Sequence, residues 1–149
     1  MTEPPAARGL DEALAGMTWT VQPGRFALVG FPEPPAPEDL ALLGGEGPAQ
    51  VIREGGETTL LVPAEVAGEV LARHPAARAE SGLAWIRFEL AMEWELVGFL
   101  ARVTGRLAAA GVPLGAVCGY SRDHLFLAER WLGTARSALE ELLPGRGRG

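Results

Sequence analysis

The chain contains no lysine and no asparagine, and its only cysteine is Cys118. A single cysteine excludes an internal disulfide and fits a reducing compartment. With two histidines far apart in sequence, His74 and His124, it also cannot close a structural zinc site. No stretch approaches the roughly 20 consecutive apolar residues of a membrane helix. The polar, proline-rich start, Met1 to Arg8, has no apolar run resembling a signal peptide. A cytoplasmic protein is expected. All thirteen basic residues are arginines, against nineteen acids, for a formal charge of −6. Up to Glu80 there are twelve acids and five arginines, and beyond it seven acids and eight arginines. Neither part is a basic platform that tracks phosphates, so no nucleic-acid partner is expected. The tail Arg146-Gly147-Arg148-Gly149 resembles a fragment of an RGG segment but reads better as a frayed, solvated terminus. Scarce asparagine and proline-rich loops fit a heat-tolerant source. A GC-rich genome produces the same bias, and composition does not separate the two.

What is present is enough for a packed core. The 149 residues are 48% hydrophobic, which suits one domain or two small halves. A short helix is expected over Leu10 to Met17 and a buried strand over Arg25 to Phe31, an apolar run bounded by turn residues. Pro32 to Pro48, with five prolines and three glycines, reads as a loop with one helical turn at Glu38 to Leu43. Its Gly44-Gly45-Glu46-Gly47 lacks the Gly-Lys-Ser/Thr that a phosphate cradle requires. Ala49 to Arg53 and Thr58 to Val62 flank Glu54-Gly55-Gly56-Glu57, a hairpin signal. Pro63 suits a helix start, Val66, Val70 and Leu71 give that helix an apolar stripe, and Pro75 ends it.

Trp85 to Leu90 alternates apolar and charged residues, as a strand with one wet face does. From Glu93 the spacing of Leu96, Val97, Leu100, Val103, Leu107 and Ala108 predicts a helix, with Gly111 as its cap and Pro113 beyond it. A hairpin is expected from Leu114 to Tyr120 and His124 to Leu127, then a last helix with Trp131, Leu132, Ala135, Leu139, Leu142 and Leu143 on one side. Strand, helix, strand, strand, helix is one strand short of a ferredoxin-like βαββαβ unit. The apolar strand Arg25 to Phe31, which has no neighbouring hairpin partner, is expected to fill that place.

From about Leu14 to Leu142 the chain resembles a bacterial family of tandem ACT-type proteins. The likeness rests on Arg53-Glu54-Gly55-Gly56-Glu57-Thr58-Thr59-Leu60-Leu61-Val62-Pro63, Trp85-Ile86, Val97-Gly98-Phe99-Leu100, Leu107-Ala108-Ala109-Ala110-Gly111-Val112 and Gly119-Tyr120-Ser121-Arg122-Asp123-His124-Leu125-Phe126-Leu127. ACT units commonly carry Pro-Gly at the turn into their first helix, where Val97-Gly98 stands here. The resemblance implies an α+β fold of ferredoxin-like ACT-type units in tandem: residues 1–80 a degenerate ACT-like half, residues 81–149 an ACT-like domain, with exchange of the N-terminal strand. It also implies side-by-side pairing and a small molecule, often an amino acid, held between units.

Several residues invite chemical readings. Cys118 beside His124 suggests a thiol nucleophile, but a small thiol in mid-strand is an ordinary core residue. Asp123 and His124 are strand neighbours whose side chains face opposite ways, so they make no acid–base dyad. Asp123 reads as a turn-closing residue, and His124 as a ligand contact at the sheet edge or a polar edge residue. Glu89, Glu93 and Glu95 are either dipole-favoured carboxylates at a helix start or receivers of a ligand ammonium. Trp94 is a hydrophobic anchor, a stacking face or an interface residue. The ligand-binding candidates are Met92, Glu93, Trp94, Glu95, Gly98, Tyr120 and His124. No nucleophile–base pair, cofactor loop or metal spacing is present, so a non-catalytic protein without cofactor is expected. The reading is a regulatory or small-molecule-binding homodimer with no membrane partner. The alternative is a structural interaction module that has lost its ligand.

Overall fold

The computed structural model describes residues 9–145, 147 and 148. In chain order the elements are α1 (Leu10–Gly16), β1 (Trp19–Val21), β2 (Phe26–Phe31), α2 (Pro37–Ala41), β3 (Gln50–Glu54), β4 (Glu57–Pro63), α3 (Ala67–Arg73), β5 (Arg78–Phe88), α4 (Phe99–Ala109), β6 (Gly115–Cys118), β7 (Asp123–Ala128), α5 (Leu132–Leu142) and β8 (Gly147–Arg148). The chain divides into two units, Gly24–Ala84 and the two outer segments Met1–Pro23 with Trp85–Gly149. The sequence boundary at residue 80 therefore falls near one edge of the middle unit, while residues 9–23 belong with the C-terminal segment. The Arg-Gly tail, expected to be frayed, instead places Gly147 and Arg148 in β8 beside β1, with residues 146 and 149 outside the described residues.

The middle unit is a complete βαββαβ arrangement. Its strands lie in the order β3-β4-β2-β5, β2 and β4 pairing from Phe26↔Pro63 to Phe31↔Thr58, and Arg78 to Leu83 of β5 supplying the fourth strand. Its first helix, α2, is only five residues long. The hairpin forms where it is expected. Glu54 pairs with Glu57, and Gly55 and Gly56 take φ of +46° and +84°, the left-handed pair that a two-residue turn demands. Alternation along the strands sends Ala27, Val29, Phe31, Leu60 and Val62 to one face, where Ala67 and Val70 of α3 cover them.

The outer unit is built the same way. Its strands run β6-β7-β5-β1-β8, with helices α4 and α5 contributing Phe99, Val103, Leu107, Ala135, Ala138 and Leu139 to a core shared with Ile86, Phe88, Leu125 and Leu127. The missing fourth strand is supplied from the N-terminus, but by Trp19–Val21, paired with Ile86 to Phe88, and not by Arg25 to Phe31. Burial explains the choice: Met17, Trp19 and Val21 enter the outer core, whereas Phe26 to Phe31 already has neighbours on both sides within the middle unit. Fully burying a side chain such as Val21 or Phe88 contributes about 1.5–3 kcal/mol. The fold is thus α+β and ferredoxin-like in both units, of the ACT type. No helix among the described residues is long and apolar enough to cross a membrane.

Candidate functional site

The predicted helix start at Glu93 is corrected by the structure. Leu90 to Val97 form a loop, tightened by the bond from Leu96 N–H to the Glu93 carbonyl (3.1 Å), and α4 begins only at Phe99. Gly98, at φ +95°, is the reason: a left-handed residue breaks the helical path, so the apolar spacing of Leu96 and Val97 cannot join α4. Glu93 and Glu95 are therefore exposed loop residues and not carboxylates at a helix dipole.

A second segment packs beside this loop. The β6–β7 turn closes through Gly119 N–H to the Arg122 carbonyl (2.9 Å). It is pinned by Met92 N–H to the Ser121 carbonyl (2.9 Å) and by Arg122 Nε–H to the Glu89 carbonyl (2.9 Å). Between loop and turn lies a groove of about 230 Å³, lined by residues 92–94, 96, 98–101 and 118–123. It gathers Met92, Glu93, Trp94, Gly98 and Tyr120 of the expected ligand set; Glu95 and His124 are outside the lining. Sequence reading did not single out Phe99, Leu100, Ala101 or Ser121 as wall residues, because hairpin docking on the loop is a tertiary fact.

The remaining candidates have structural partners. His124 accepts at Nδ1 from the Trp85 indole N–H (3.0 Å), and the rings meet edge to face. Burial, then the Arg87 charge, holds the His124 imidazole below its ordinary value. Glu89 is held low although burial pushes it up, because Thr20 and the two bonds from Arg87 (3.1 and 3.2 Å) outweigh that push. Cys118, expected in the core, is instead exposed, since β6 is an edge strand with its outer face in water. Partial desolvation and the Asp123 carboxylate push its thiol up, away from an activated nucleophile, and His124 faces Val117 across the hairpin. Among the described residues no three His, Cys, Asp or Glu side chains could together hold a metal ion.

Of the three tryptophans beyond residue 80, only Trp94 is exposed. Trp85 is buried and Trp131 packs against the core, whereas Trp94 is 89% exposed, Val97 81% and Tyr120 fully exposed. The groove rim is therefore large, apolar and wet.

In the middle unit the equivalent turn, from β2 into α2, is closed by its own side chains. Arg53 donates to the Pro32 and Glu33 carbonyls (2.9 and 3.2 Å), and Thr58 Oγ1 to the Glu33 carbonyl (2.6 Å). Buried Asp39 accepts from Ala36 N–H (2.8 Å) and Arg73 Nε–H (2.9 Å) and meets His74 Nε2 at 2.7 Å, while Phe31 stacks on the His74 ring.

No family model matches the chain, and no curated protein matches it in sequence. Solved structures do. Protein Atu0741 of Agrobacterium tumefaciens superposes with a TM-score of 0.68 at 17% identity, over 89% of this chain and 92% of that one. Protein VC0802 of Vibrio cholerae, of unknown function, gives 0.63 at 25% identity, over 87% and 91%. The regulatory subunit of aspartate kinase from Thermus thermophilus gives 0.62 at 14% identity, over 87% and 98%. The chain has the fold of the ACT-type regulatory domains of aspartate kinase.

Proposed function

We propose that this chain is a non-catalytic regulatory protein that takes an amino-acid-class ligand in the groove between the loop before α4 and the β6–β7 turn. The observation that carries the reading is that this turn is open while its counterpart in the middle unit is filled by Arg53, Thr58 and Asp39. Trp94 and Tyr120 offer flat apolar faces, Glu93 an acceptor for an ammonium group, and the loop N–H groups donors for a carboxylate. Likeness in fold to regulatory subunits supports the same reading. The net charge of −6 speaks for a small partner and against nucleic acid, and a cytoplasmic setting suits a lone free thiol.

The test is a thermal-shift screen against the twenty amino acids, since a ligand at a hundred times its Kd adds about 2.7 kcal/mol of stability. For any binder, Glu93→Ala should weaken affinity at least tenfold, about 1.4 kcal/mol, while Glu95→Ala, outside the lining, should leave it unchanged. Equal affinity in Glu93→Ala and the parent protein moves the ligand elsewhere.

The exposed rim favours a second reading, in which the groove is a protein-docking surface and the chain a homodimer. Trp94, Val97 and Tyr120 form the kind of wet apolar patch that marks an interface. Light scattering at micromolar concentration should then give twice the chain mass, and Trp94→Ala with Val97→Glu should return the monomer. A monomer mass for the parent protein removes this reading.

A further inference from the structure

The middle unit carries a second depression, of about 510 Å³, over the end of its sheet where β2 finishes, the β3–β4 turn closes and β5 begins. Its floor follows from the pairing registers. Gly30 of β2 lies between Thr59 of β4 and Arg78 of β5, and Leu28 lies between Leu61 and Glu80. Side chains alternate along a strand, so Gly30 and Leu28 share one face of β2 and Arg78 and Glu80 one face of β5. Gly30 leaves a notch there. A glycine inside a strand loses packing and backbone entropy, and it is at home where another molecule approaches the sheet closely. Sterics do not demand it here: a methyl group on Gly30 would meet no heavy atom within 4 Å, and its φ is not positive.

The charges around the notch are of both signs. Arg78 and Glu80 stand two residues apart, about 6.6 Å along the strand. Among the described residues neither side chain has a hydrogen bond or ion pair, although Thr59 bonds to Glu57 across the same lining (3.4 Å). Opposite charges paired across strands stabilise a sheet face; here both charges are exposed and the position opposite Arg78 is the glycine. The wall is fixed in advance, because Pro32 is held by Arg53 and the adjoining Glu33 carbonyl by Thr58. Preorganised walls lower the ordering cost of binding.

We propose that this depression is a binding site for a zwitterion of amino-acid to dipeptide size, its carboxylate on Arg78, its ammonium on Glu80, and its body over Gly30 against Leu28. The site is separate from the groove at residues 92–101 and stands or falls without it.

The experiment is amide NMR on the full chain, titrated with the twenty amino acids and with alanyl-leucine to about 10 mM, where a millimolar binder is nearly saturated. The expected result is a saturable shift of the Gly30, Thr59 and Arg78 amides with at least one of these probes. N-acetylated and C-amidated forms of that probe should bind at least tenfold more weakly. Arg78→Gln and Glu80→Gln should each cost tenfold or more, and Gly30→Leu, which fills the notch, should abolish the shifts in a protein with an otherwise unchanged spectrum. Glu93→Ala should leave them intact, which separates this site from the other groove. Saturable shifts confined to residues 92–101 and 118–123, no saturable shift with any probe, or binding indifferent to Gly30→Leu would each overturn the proposal.

Discussion

Asp39 is a fully buried carboxylate, and its environment explains why it is tolerated. Desolvation pushes its pKa up, but the bonds from His74, the Ala36 amide and Arg73 together outweigh that and hold it below the ordinary 3.8. Because the folded value lies below the unfolded one, the stabilisation is complete above 3.8 and is lost as pH falls through the lower folded value. Urea melts followed by circular dichroism from pH 7 down to pH 3 should show this acid loss in the parent protein and a flatter profile in Asp39→Ala. At pH 7 that variant should be less stable by about 3 kcal/mol, because Arg73 and His74 lose their common partner. A cost under about 0.5 kcal/mol, the scale of a neutral surface change, would contradict the assignment. None of this was legible in the sequence. Asp39 stands in a proline-rich loop, and its partners Arg73 and His74 lie more than thirty residues on; only the packing of α3 beside the turn brings them together.

At the scale of elements, legibility followed how much of an element's conformation is decided by its own residues. Gly55-Gly56 dictates a two-residue turn, and the 3.6-residue spacing of α5 dictates a buried stripe, so both appear where they are expected. β5 was only half visible. The alternation of apolar and charged residues from Ile86 to Leu90 marks its later part, but Arg78 to Ser81 are exposed and carry no apolar signal, since pairing with β2 alone makes them a strand. The start of α4 was misread for the opposite reason: Leu96 and Val97 continue the helical spacing by coincidence, and Gly98 overrides it. Five of the seven candidate ligand residues nonetheless share one groove, because the strand-to-helix connection after β5 and the tip of the β6–β7 hairpin pack side by side. Gly98 gives the element-scale prediction. A side chain there would be strained at φ +95° and would bring its Cβ within 3.2 Å of Leu10 Cδ2. Gly98→Ala should lower stability by about 1–3 kcal/mol in urea unfolding, while the helical signal of the folded protein stays the same. A variant as stable as the parent would mean that the left-handed turn does not hold the loop.

At the scale of the whole chain, the two units differ in how their strands are drawn from the sequence, and this has a consequence for fragments. Gly24–Ala84 is continuous and contains all four strands of its sheet, its two helices and its own apolar core. The outer unit is discontinuous, and Trp19–Val21 is the strand beside Ile86 to Phe88. A fragment spanning 81–149 therefore keeps α4, α5 and the β6–β7 hairpin but leaves the backbone groups of Ile86 to Phe88 unpaired on one side. It also lacks Leu14, Met17, Trp19 and Val21, four buried side chains of the core, each contributing about 1.5–3 kcal/mol. A domain this small has only a few kcal/mol of net stability to lose. The fragment 81–149 should thus be molten or insoluble: helical in far-ultraviolet dichroism, without dispersed amide resonances, and without a cooperative urea transition. A peptide of residues 9–23 added in trans should restore part of the cooperativity, because it carries α1 and β1 together. A peptide of residues 24–48, which carries β2, should not, since that strand belongs to the other sheet. Cooperative folding of 81–149 alone would show that Trp19–Val21 is dispensable, and rescue by residues 24–48 instead would show that the strands had been paired with the wrong sheet.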